Sequence, residues 1–497
     1  MSAIDGRMLV DTIPFKACNN NKVADVSSVC KALCHLFPSD GIGESVPEVS
    51  VIYDLDAIHS SIQSLKNAFA TSSASSVKFN HCFAVKSCPL AYILHFFVKA
   101  GLGLETASLG EVKLALRAQC PPHMIVFDSP CKSRTDIDFA LRNGISLNAN
   151  SYAEIEKIRS CIEKMRGEGI IVGSKNQMIG VRINPLVGAG KISALSTATS
   201  NSKFGIPLCR NTDDEGYSES DIMALFQKHS FLNGIMCHVG SQGMPIELMS
   251  EGATRIAQLA YKIETACVSN LDTEPRVVFL DIGGGLSANY DSDEVFPMFS
   301  QYSDALMGIW EDEHTERRTI FTEFGKSLIT KCGVISSKIE DVLPQGYVSK
   351  GKTTDKTIAK CTAVTHCGAD LLLRTAYCPD KFSHRLVFLD DEKKELTTAT
   401  RTPAQVTVAG PLCFSGDVLA SDMMLPQPQA GDICIVMDAG ANTISLFSRH
   451  CSRLCPAVYA FRTLSLSSQS DNTKKEVVYG TVIKRRETED ELCTFWG

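Results

Sequence analysis

The amino-acid sequence predicts a parallel (β/α)₈ barrel followed by a C-terminal β-domain. Eight apolar, strand-like runs lie between Phe79 and Glu323, and helical stretches separate most of them. Residues able to do chemistry stand at the C-terminal ends of these runs, which form the catalytic face of such barrels. After Gly333 the helical pattern gives way to short β-branched runs punctuated by Gly, Pro and Asp. Two domains of different architecture are therefore expected.

Each predicted barrel strand is a short apolar run, and helical spacing of apolar residues fills most of the intervals, as in βαβ units. An open, doubly wound sheet is the alternative for such an alternation. The predicted strands are Phe79–Lys86, Gly101–Ser108, Met124–Ser129, Ile145–Asn148, Met178–Asn184, Gly234–Val239, Arg276–Asp281 and Arg318–Glu323. The predicted helices include Leu55–Phe69, Glu111–Ala118, Thr135–Arg142, Tyr152–Met165 and Glu247–Ala266.

The change in pattern places the barrel domain at residues 49–330 and a β-sandwich or β-barrel domain at residues 331–497. Residues 1–48 do not fit the barrel pattern. The predicted strands of the second domain include Thr362–Thr365, Arg385–Leu389, Gln405–Ala409, Ile433–Met437 and Glu476–Val482.

Composition argues against several classes of partner. The formal net charge is −7 and no basic cluster is present, so neither a nucleic acid nor a membrane is expected as a partner. No apolar run reaches the roughly 20 residues that span a bilayer, and the N-terminus does not resemble a secretory signal. The 20 cysteines are scattered without CxxC spacing. Free thiols, no bound metal and a cytoplasmic location are therefore expected, with an organelle as the alternative.

The first strand ends at Lys86 and the sixth at His238. A lysine at a strand end can simply extend to solvent, but in an apolar barrel mouth it can lose its proton and form a Schiff base with an aldehyde. A histidine in this position is more often a hydrogen-bonded structural group than a catalyst. Their positions at the same predicted face are what favour a catalytic role.

The seventh strand ends in Gly283, Gly284 and Gly285, and the eighth ends at Glu323. Glycine triplets are common in turns, but loops after strands 7 and 8 of these barrels frequently bind phosphate. A carboxylate at the end of strand 8 can pair with the ring nitrogen of a pyridine. A salt bridge of Glu323 to Lys326 or Arg182 is the structural alternative.

Six motifs stand out along the chain: Phe83–Ser87, Glu105–Glu111, Ser202–Ile206, His238–Gln242, Leu280–Gly285 and Gly410–Leu419. Their order resembles that of the ornithine/diaminopimelate/arginine decarboxylases, which are fold-type III pyridoxal-phosphate enzymes, and diaminopimelate decarboxylase is the branch they resemble most. The resemblance runs from about residue 50 to about residue 465.

The resemblance implies pyridoxal 5'-phosphate as cofactor and assigns roles to individual residues. Lys86 would carry the cofactor aldimine, His238 would stack on the ring, and Glu323 would pair with its nitrogen. The phosphate would be held by Ser241 and the glycine triplet. Further cofactor contacts are expected from Glu105, Arg182, Gly325 and Asn442. Substrate contacts are expected from Lys326, Arg374, Tyr377 and Phe414.

The resemblance also implies a homodimer with shared active sites. Cys413 would reach the partner's site and protonate the product carbanion, and Lys203 would pair with Asp417 across the interface. The β-domain would take in residues 1–48. The implied activity is decarboxylation of an amino acid, which releases carbon dioxide.

Three positions depart from the family's pattern and leave the substrate open. Phe414 replaces the acid that follows the cysteine and holds the distal amino group of the substrate. Lys326 replaces an arginine, and Asn442 replaces a tyrosine. The substrate is therefore meso-diaminopimelate held by other contacts, or an amino acid with an apolar or anionic far end.

Two hypotheses from other classes of protein remain, an inactive regulatory homologue and a racemase that uses the same cofactor and barrel. An inactive regulatory homologue would be favoured by loss of Lys86 or Cys413, and both are present. A racemase would need a second acid/base, commonly a tyrosine, where this chain has a cysteine.

Overall fold

The computed structural model describes residues 22–38, 45–70, 77–173, 176–209, 216–267, 276–310, 317–345, 359–467 and 474–497. The chain divides into two compact units. The barrel unit comprises Ile62–Ala288 and Val295–Leu328. The sheet unit comprises the chain up to Ser61, Asn289–Glu294 and Ile329–Gly497.

The strands, in chain order, are β1 Val49–Asp54, β2 Lys78–Ala84, β3 Gly103–Thr106, β4 Ile125–Phe127, β5 Ser146–Ala149, β6 Ile179–Asn184, β7 Ile206–Pro207, β8 Gly234–Met236, β9 Phe279–Asp281, β10 Thr319–Phe324, β11 Gly333–Pro344, β12 Ala359–Thr365, β13 Leu386–Leu389, β14 Pro403–Ala409, β15 Val418–Pro426, β16 Ile433–Val436, β17 Ala457–Ser467 and β18 Lys474–Lys484. The α-helices are α1 Val26–Leu36, α2 Leu55–Ala70, α3 Ala91–Lys99, α4 Leu109–Arg117, α5 Arg134–Arg142, α6 Tyr152–Gly167, α7 Glu219–Lys228, α8 Ile246–Cys267, α9 Phe299–Ala305, α10 Met307–Trp310, α11 Lys326–Ile329, α12 Leu373–Tyr377 and α13 Glu489–Trp496.

The barrel unit is a closed, parallel (β/α)₈ barrel of the TIM type. Its strands follow the order β2, β3, β4, β5, β6, β8, β9 and β10, and the pairings β5–β6 and β10–β2 close the ring. The predicted barrel is therefore confirmed, and the open sheet is excluded. Serine side chains at the starts of several helices accept a backbone N–H and fix where each helix begins. These N-caps are Ser108, Ser133, Ser151 and Ser218.

The sheet unit is built around a mixed sheet with the strand order β15, β14, β12, β11, β1, β17 and β18, and β16 joins β13 to β11. Strand β1 lies at its centre, antiparallel to β11 and parallel to β17. These pairings place residues 49–54 with this sheet, so the barrel unit begins later than the predicted residue 49. The central position of β1 depends on partners hundreds of residues away, which a local pattern cannot reveal.

Helix α1 packs on the mixed sheet through its apolar face. Val29 and Leu33 are fully buried in a core cluster with Ile52 of β1 and Phe461 of β17. Part of segment 1–48 therefore belongs to this unit, while residues 1–21 and 39–44 lie outside the described residues. Within the described ranges, no helix is long and apolar enough to cross a membrane.

Candidate active site at the barrel mouth

Lys86 follows β2 in a short 3₁₀ turn, Val85–Ser87, at the carboxyl end of the barrel. Its Nζ donates to both carboxylate oxygens of Glu105 on β3, at 3.0 and 2.8 Å. Burial lowers the pKa of Lys86, whereas the charges of Glu105 and Glu323 raise it, and the net shift is upward. With 51 % of the lysine side chain exposed, burial offsets the effect of the two carboxylates only in part. In the protein alone, Lys86 is therefore an ammonium held by Glu105.

Arg182 on β6 is tied to a second acid of the barrel interior. Its Nη1 lies 2.5 Å from Oδ2 of Asp128, and both side chains are almost fully buried. The guanidinium also lies 4.5 Å from the centre of the Phe204 ring. These contacts fix Arg182 through Asp128, so any part it plays in holding a ligand depends on that ion pair.

His238 lies two residues beyond β8 and is oriented by the glycine triplet. The backbone N–H of Gly284 donates to Nδ1 at 3.2 Å, so Nδ1 is an acceptor and the ring proton is on Nε2. Burial, with the nearby cations Arg182 and Lys86, holds the pKa of His238 well below its usual range. The imidazole is therefore neutral, and a flat neutral ring is suited to stacking on another ring.

The glycine triplet is required by close backbone approach. Gly283 and Gly285 have φ of +65° and +108°, in the left-handed region that favours glycine. A Cβ on Gly284 would overlap the carbonyl oxygen of Glu323, and one on Gly285 would overlap that of Gly240. The N–H groups of Gly283 and Gly284 donate within the protein, to Asp281 and His238. The triplet therefore shapes the space rather than offering all three N–H groups to an anion.

Lys326, the first residue of α11, contributes a positive charge beside the glycine triplet. Its Nζ lies 3.3 Å from Oγ of Ser241, in the loop after β8. Gly325 allows a close approach here, because a Cβ would overlap the Ser87 hydroxyl. A lysine and a hydroxyl beside a glycine-lined hollow fit a phosphate group.

Glu323 completes the barrel site from β10. Its carboxyl group is 4 % exposed, and Oε1 is buried with no hydrogen-bond donor among the described residues. A buried acceptor without a donor suits the protonated nitrogen of a pyridine ring. The mouth of the barrel thus brings together four features: the amine of Lys86, the neutral imidazole of His238, a hollow that fits a phosphate, and the acid Glu323. Together they fit pyridoxal phosphate.

Most of the remaining predicted residues lie in the sheet unit, where two of them, Phe414 and Tyr377, form an aromatic cluster with His450. Cys413 is exposed on the loop between β14 and β15. The next residue, Phe414, stacks on Tyr377 of α12 with ring centres 5.5 Å apart and planes 25° apart. His450 meets the edge of Phe414 at 6.2 Å. Arg374, on the same helix as Tyr377, lies over the Phe382 ring at 5.6 Å.

Asp417 and Asn442 shape loops of the sheet unit. Asp417 is 3 % exposed, and its two oxygens accept the N–H groups of Ala369 and Leu412, at 2.6 and 2.7 Å. Asp417 thus orders the loop that carries Cys413, and its pairing with Lys203 across a subunit interface stays a prediction. Asn442 has a left-handed φ of +58°, which asparagine tolerates better than most residues.

Two family models match the chain in sequence order. The pyridoxal binding domain of pyridoxal-dependent decarboxylases matches residues 55–330, and their C-terminal sheet domain matches residues 328–440. The two matches together span well over half of the chain. The chain belongs to this family. It is therefore a carboxy-lyase that depends on pyridoxal 5'-phosphate, and its substrate is an amino acid.

Similar curated proteins are diaminopimelate decarboxylases. The one from Helicobacter pylori is 26 % identical over 408 residues, which cover 81 % of this chain and 87 % of the relative. The one from Zymomonas mobilis is 28 % identical over 373 residues, which cover 75 % of this chain and 78 % of the relative. Among solved structures, diaminopimelate decarboxylase from Helicobacter pylori complexed with L-lysine superposes with a TM-score of 0.70 at 23 % identity, covering 91 % of this chain and 97 % of that one. This likeness shows the fold.

Two acids of the barrel interior received no role from the sequence. Asp128 is the penultimate residue of the predicted strand Met124–Ser129, and Asp281 belongs to the motif that ends in three glycines. Their contacts across the barrel, to Arg182 and Glu323, are not encoded in sequence spacing. The available signal is their position, since both lie at the C-terminal end of a predicted strand.

Proposed function

We propose that this protein decarboxylates an amino acid in the manner of diaminopimelate decarboxylase, with Lys86 as the residue that holds the cofactor covalently. The observation that carries the proposal is the hydrogen-bonded pair of Lys86 and Glu105 at the mouth that also presents the glycine hollow and Glu323. When bound, pyridoxal phosphate withdraws electrons from the carbon that bears the leaving carboxylate, so that carbon dioxide can depart.

Each side chain has a distinct task in this proposal. Glu105 holds the amine of Lys86 in place and accepts its hydrogen bonds. His238 offers a neutral ring face, and Glu323 offers an acceptor for the ring nitrogen. Cys413, an exposed thiol of the sheet unit, donates the proton that replaces the lost carboxylate.

Covalent labelling and product release test the proposal together. The purified protein incubated with pyridoxal phosphate should absorb in the near-visible, and borohydride should abolish the band and leave the label on Lys86. The Lys86→Arg variant keeps the charge but cannot form the linkage, so it should stay colourless. Carbon dioxide release is then measured across a panel of amino acids. A wild-type protein that cannot be reconstituted would refute the covalent role of Lys86, and a coloured protein without carbon dioxide release would favour an inactive regulatory homologue.

A second candidate substrate class is favoured by the aromatic cluster around Phe414. The residue after Cys413 is a phenyl ring that stacks on Tyr377, so this position offers no carboxylate to neutralise a distal ammonium. A buried ammonium without a counter-charge is costly, and a cation–π contact with an aromatic ring offsets little of that cost. A substrate with an apolar or anionic far end is the alternative to meso-diaminopimelate, with Arg374 as the candidate partner of a distal carboxylate.

The assembly we propose is a homodimer whose active sites are shared between subunits, as the family resemblance implies. We further propose a cytoplasmic location. Among the described residues, 19 cysteines are free thiols, as expected in a reducing compartment.

A further inference from the structure

Two acids of neighbouring barrel strands meet beneath the proposed cofactor site. Asp281 ends β9, and β10 runs beside it in parallel, with Asp281 opposite Phe321. The ladder continues past the end of β9, because the Glu323 N–H donates to the Gly283 carbonyl at 2.7 Å. This register brings the carboxyl groups of Asp281 and Glu323 within hydrogen-bonding reach of each other.

As two carboxylates, these groups would be incompatible. Asp281 is fully buried and Glu323 is 4 % exposed. Oδ2 of Asp281 is buried and has no donor among the described residues, and Oε1 of Glu323, which is likewise without one, is the oxygen assigned above to the ring nitrogen. Carboxylates only accept hydrogen bonds, so a proton on the second oxygen of Glu323 would supply the donor that Asp281 lacks.

The surrounding charges offset the burial of the pair only in part. Lys86 donates to Glu105 and Arg182 to Asp128, and the charge of Lys86 lowers the pKa of Glu323 by less than burial and the neighbouring carboxylates raise it. The ionisable groups that face the pair are Lys86, Glu105, Asp128, Cys82, Cys237 and Tyr302. Burial raises the pKa of Asp281 to about 7, and burial together with the charge of Asp281 raises the pKa of Glu323. The pair therefore keeps at least one proton at neutral pH.

We propose that Asp281 is a positioning residue for Glu323: the two acids share a proton, which fixes the orientation and the charge of Glu323 where the cofactor's ring nitrogen would bind. One Glu323 oxygen then faces Asp281 and the other remains for the ring. The part that concerns the cofactor rests on the proposed function, whereas the shared proton is a property of the protein without it.

Infrared difference spectroscopy of the protein without cofactor tests the shared proton directly. At pH 7, wild-type protein should show the C=O stretch of a protonated carboxyl group, and both Asp281→Asn and Glu323→Gln should remove or shift this band, because each replaces one of the two groups that hold the proton. Asparagine keeps an oxygen for the Gly283 N–H, which Asp281 Oδ1 accepts at 2.9 Å, so this variant should fold. Glu264→Gln is the matched control and should leave the signal, because Glu264 is a buried acid that accepts the backbone N–H groups of Arg276 and Val277, before the start of β9, whereas Asp281 ends that strand.

Stability against pH supplies a second measurement. In the unfolded chain both acids have a pKa of about 4, whereas in the folded protein burial raises the pKa of Asp281 to about 7 and raises the pKa of Glu323 as well. Above pH 4 the folded state therefore holds more protons than the unfolded chain, so stability should fall as pH rises from about 4 through about 7. In Asp281→Asn, the decrease in the free energy of unfolding per pH unit should be smaller by the contribution of about one bound proton. An unchanged slope, or no protonated carboxyl signal at pH 7, would overturn the shared proton.

Cofactor absorbance separates this inference from the proposed function. With bound pyridoxal phosphate, Asp281→Asn should shift the pH dependence of the absorbance band relative to wild type, while the label on Lys86 stays. A band whose pH dependence is unchanged would overturn the positioning role. Failure to label Lys86 in wild type would instead refute the proposed function and leave the shared proton standing on the infrared result.

Discussion

Phe414 is the residue at which this chain departs most from the enzymes it resembles. Its ring stacks on Tyr377 and meets the edge of His450. None of the three side chains in this cluster is an acid. A decarboxylase that binds a second ammonium needs a carboxylate near it. The free-energy cost of desolvating an unpaired charge exceeds the gain from a cation–π contact with an aromatic ring. The far end of the substrate is therefore where we expect this protein to differ.

We expect Phe414→Glu to raise kcat/KM for meso-diaminopimelate, because the new carboxylate restores a charged hydrogen bond. Such a bond contributes about 1.5–3 kcal/mol, which corresponds to an increase of roughly ten- to 150-fold. Phe414→Leu is the control, since it removes the stacking on Tyr377 without adding a charge, and it should give no such gain. Steady-state carbon dioxide release measures both. If wild type already prefers meso-diaminopimelate and Phe414→Glu weakens it, another group holds the distal amine.

At the scale of single elements, the loops after β4 and β5 are held by a buried lysine. Lys132 is fully buried, and its Nζ donates to the carbonyl oxygens of Ser129 and Asn148, at 2.7 and 2.8 Å. It also lies 2.9 Å from Glu154 Oε2 in the first turn of α6. The same Glu154 oxygen accepts the Asn150 N–H at 2.7 Å. This network joins two strand ends to the helix that follows.

We expect Lys132→Met to lower the stability of the barrel by about 3–5 kcal/mol, because it leaves the Glu154 carboxylate buried without its cation. The double variant Lys132→Met, Glu154→Gln removes both charges and should recover part of the loss. Arg159→Met on the same helix is the control, since Arg159 pairs with Glu163 on the surface, and it should change little. Urea unfolding measures all three variants. Equal losses in the single and double variants would show that the charge pairing is not what stabilises this corner.

The sequence predicted the barrel strands well because each is a local run with a recognisable end. Glu105 and Glu323, named from strand ends, lie on β3 and β10. The centre of the mixed sheet was not predictable in the same way, because β1 finds its partners in β11 and β17. Strands β11, β15 and β17 were missed, since their pattern alone did not distinguish them from connecting loops.

The candidate site was predictable as a set of residues but not as a set of contacts. Motif order identified Lys86, His238 and the glycine triplet. It did not show that Lys86 is bound to Glu105 or that His238 accepts from Gly284, since such contacts arise from side chains of different strands. Asp281 has its proposed role only because β10 places Glu323 beside it.

At the scale of the whole molecule, the proposed chemistry draws on both units of the chain. Lys86 stands in the barrel unit and Cys413 in the sheet unit. The family resemblance implies that each active site combines Lys86 of one subunit with Cys413 of the other. The Cys413 thiol is exposed in the single chain, as such a role requires.

Mixing two inactive variants tests this arrangement. Lys86→Ala should abolish cofactor attachment, and Cys413→Ala should slow protonation of the product, so each variant alone should show little activity. In a mixed dimer with shared sites, one site carries both substitutions and the other carries neither. Random exchange should therefore restore up to about a quarter of wild-type activity, because half of the dimers are mixed and each has one intact site of two. Differently tagged subunits allow exchange to be verified by sequential affinity capture. Verified mixed dimers that remain inactive would mean that Lys86 and Cys413 of the same chain serve the same site.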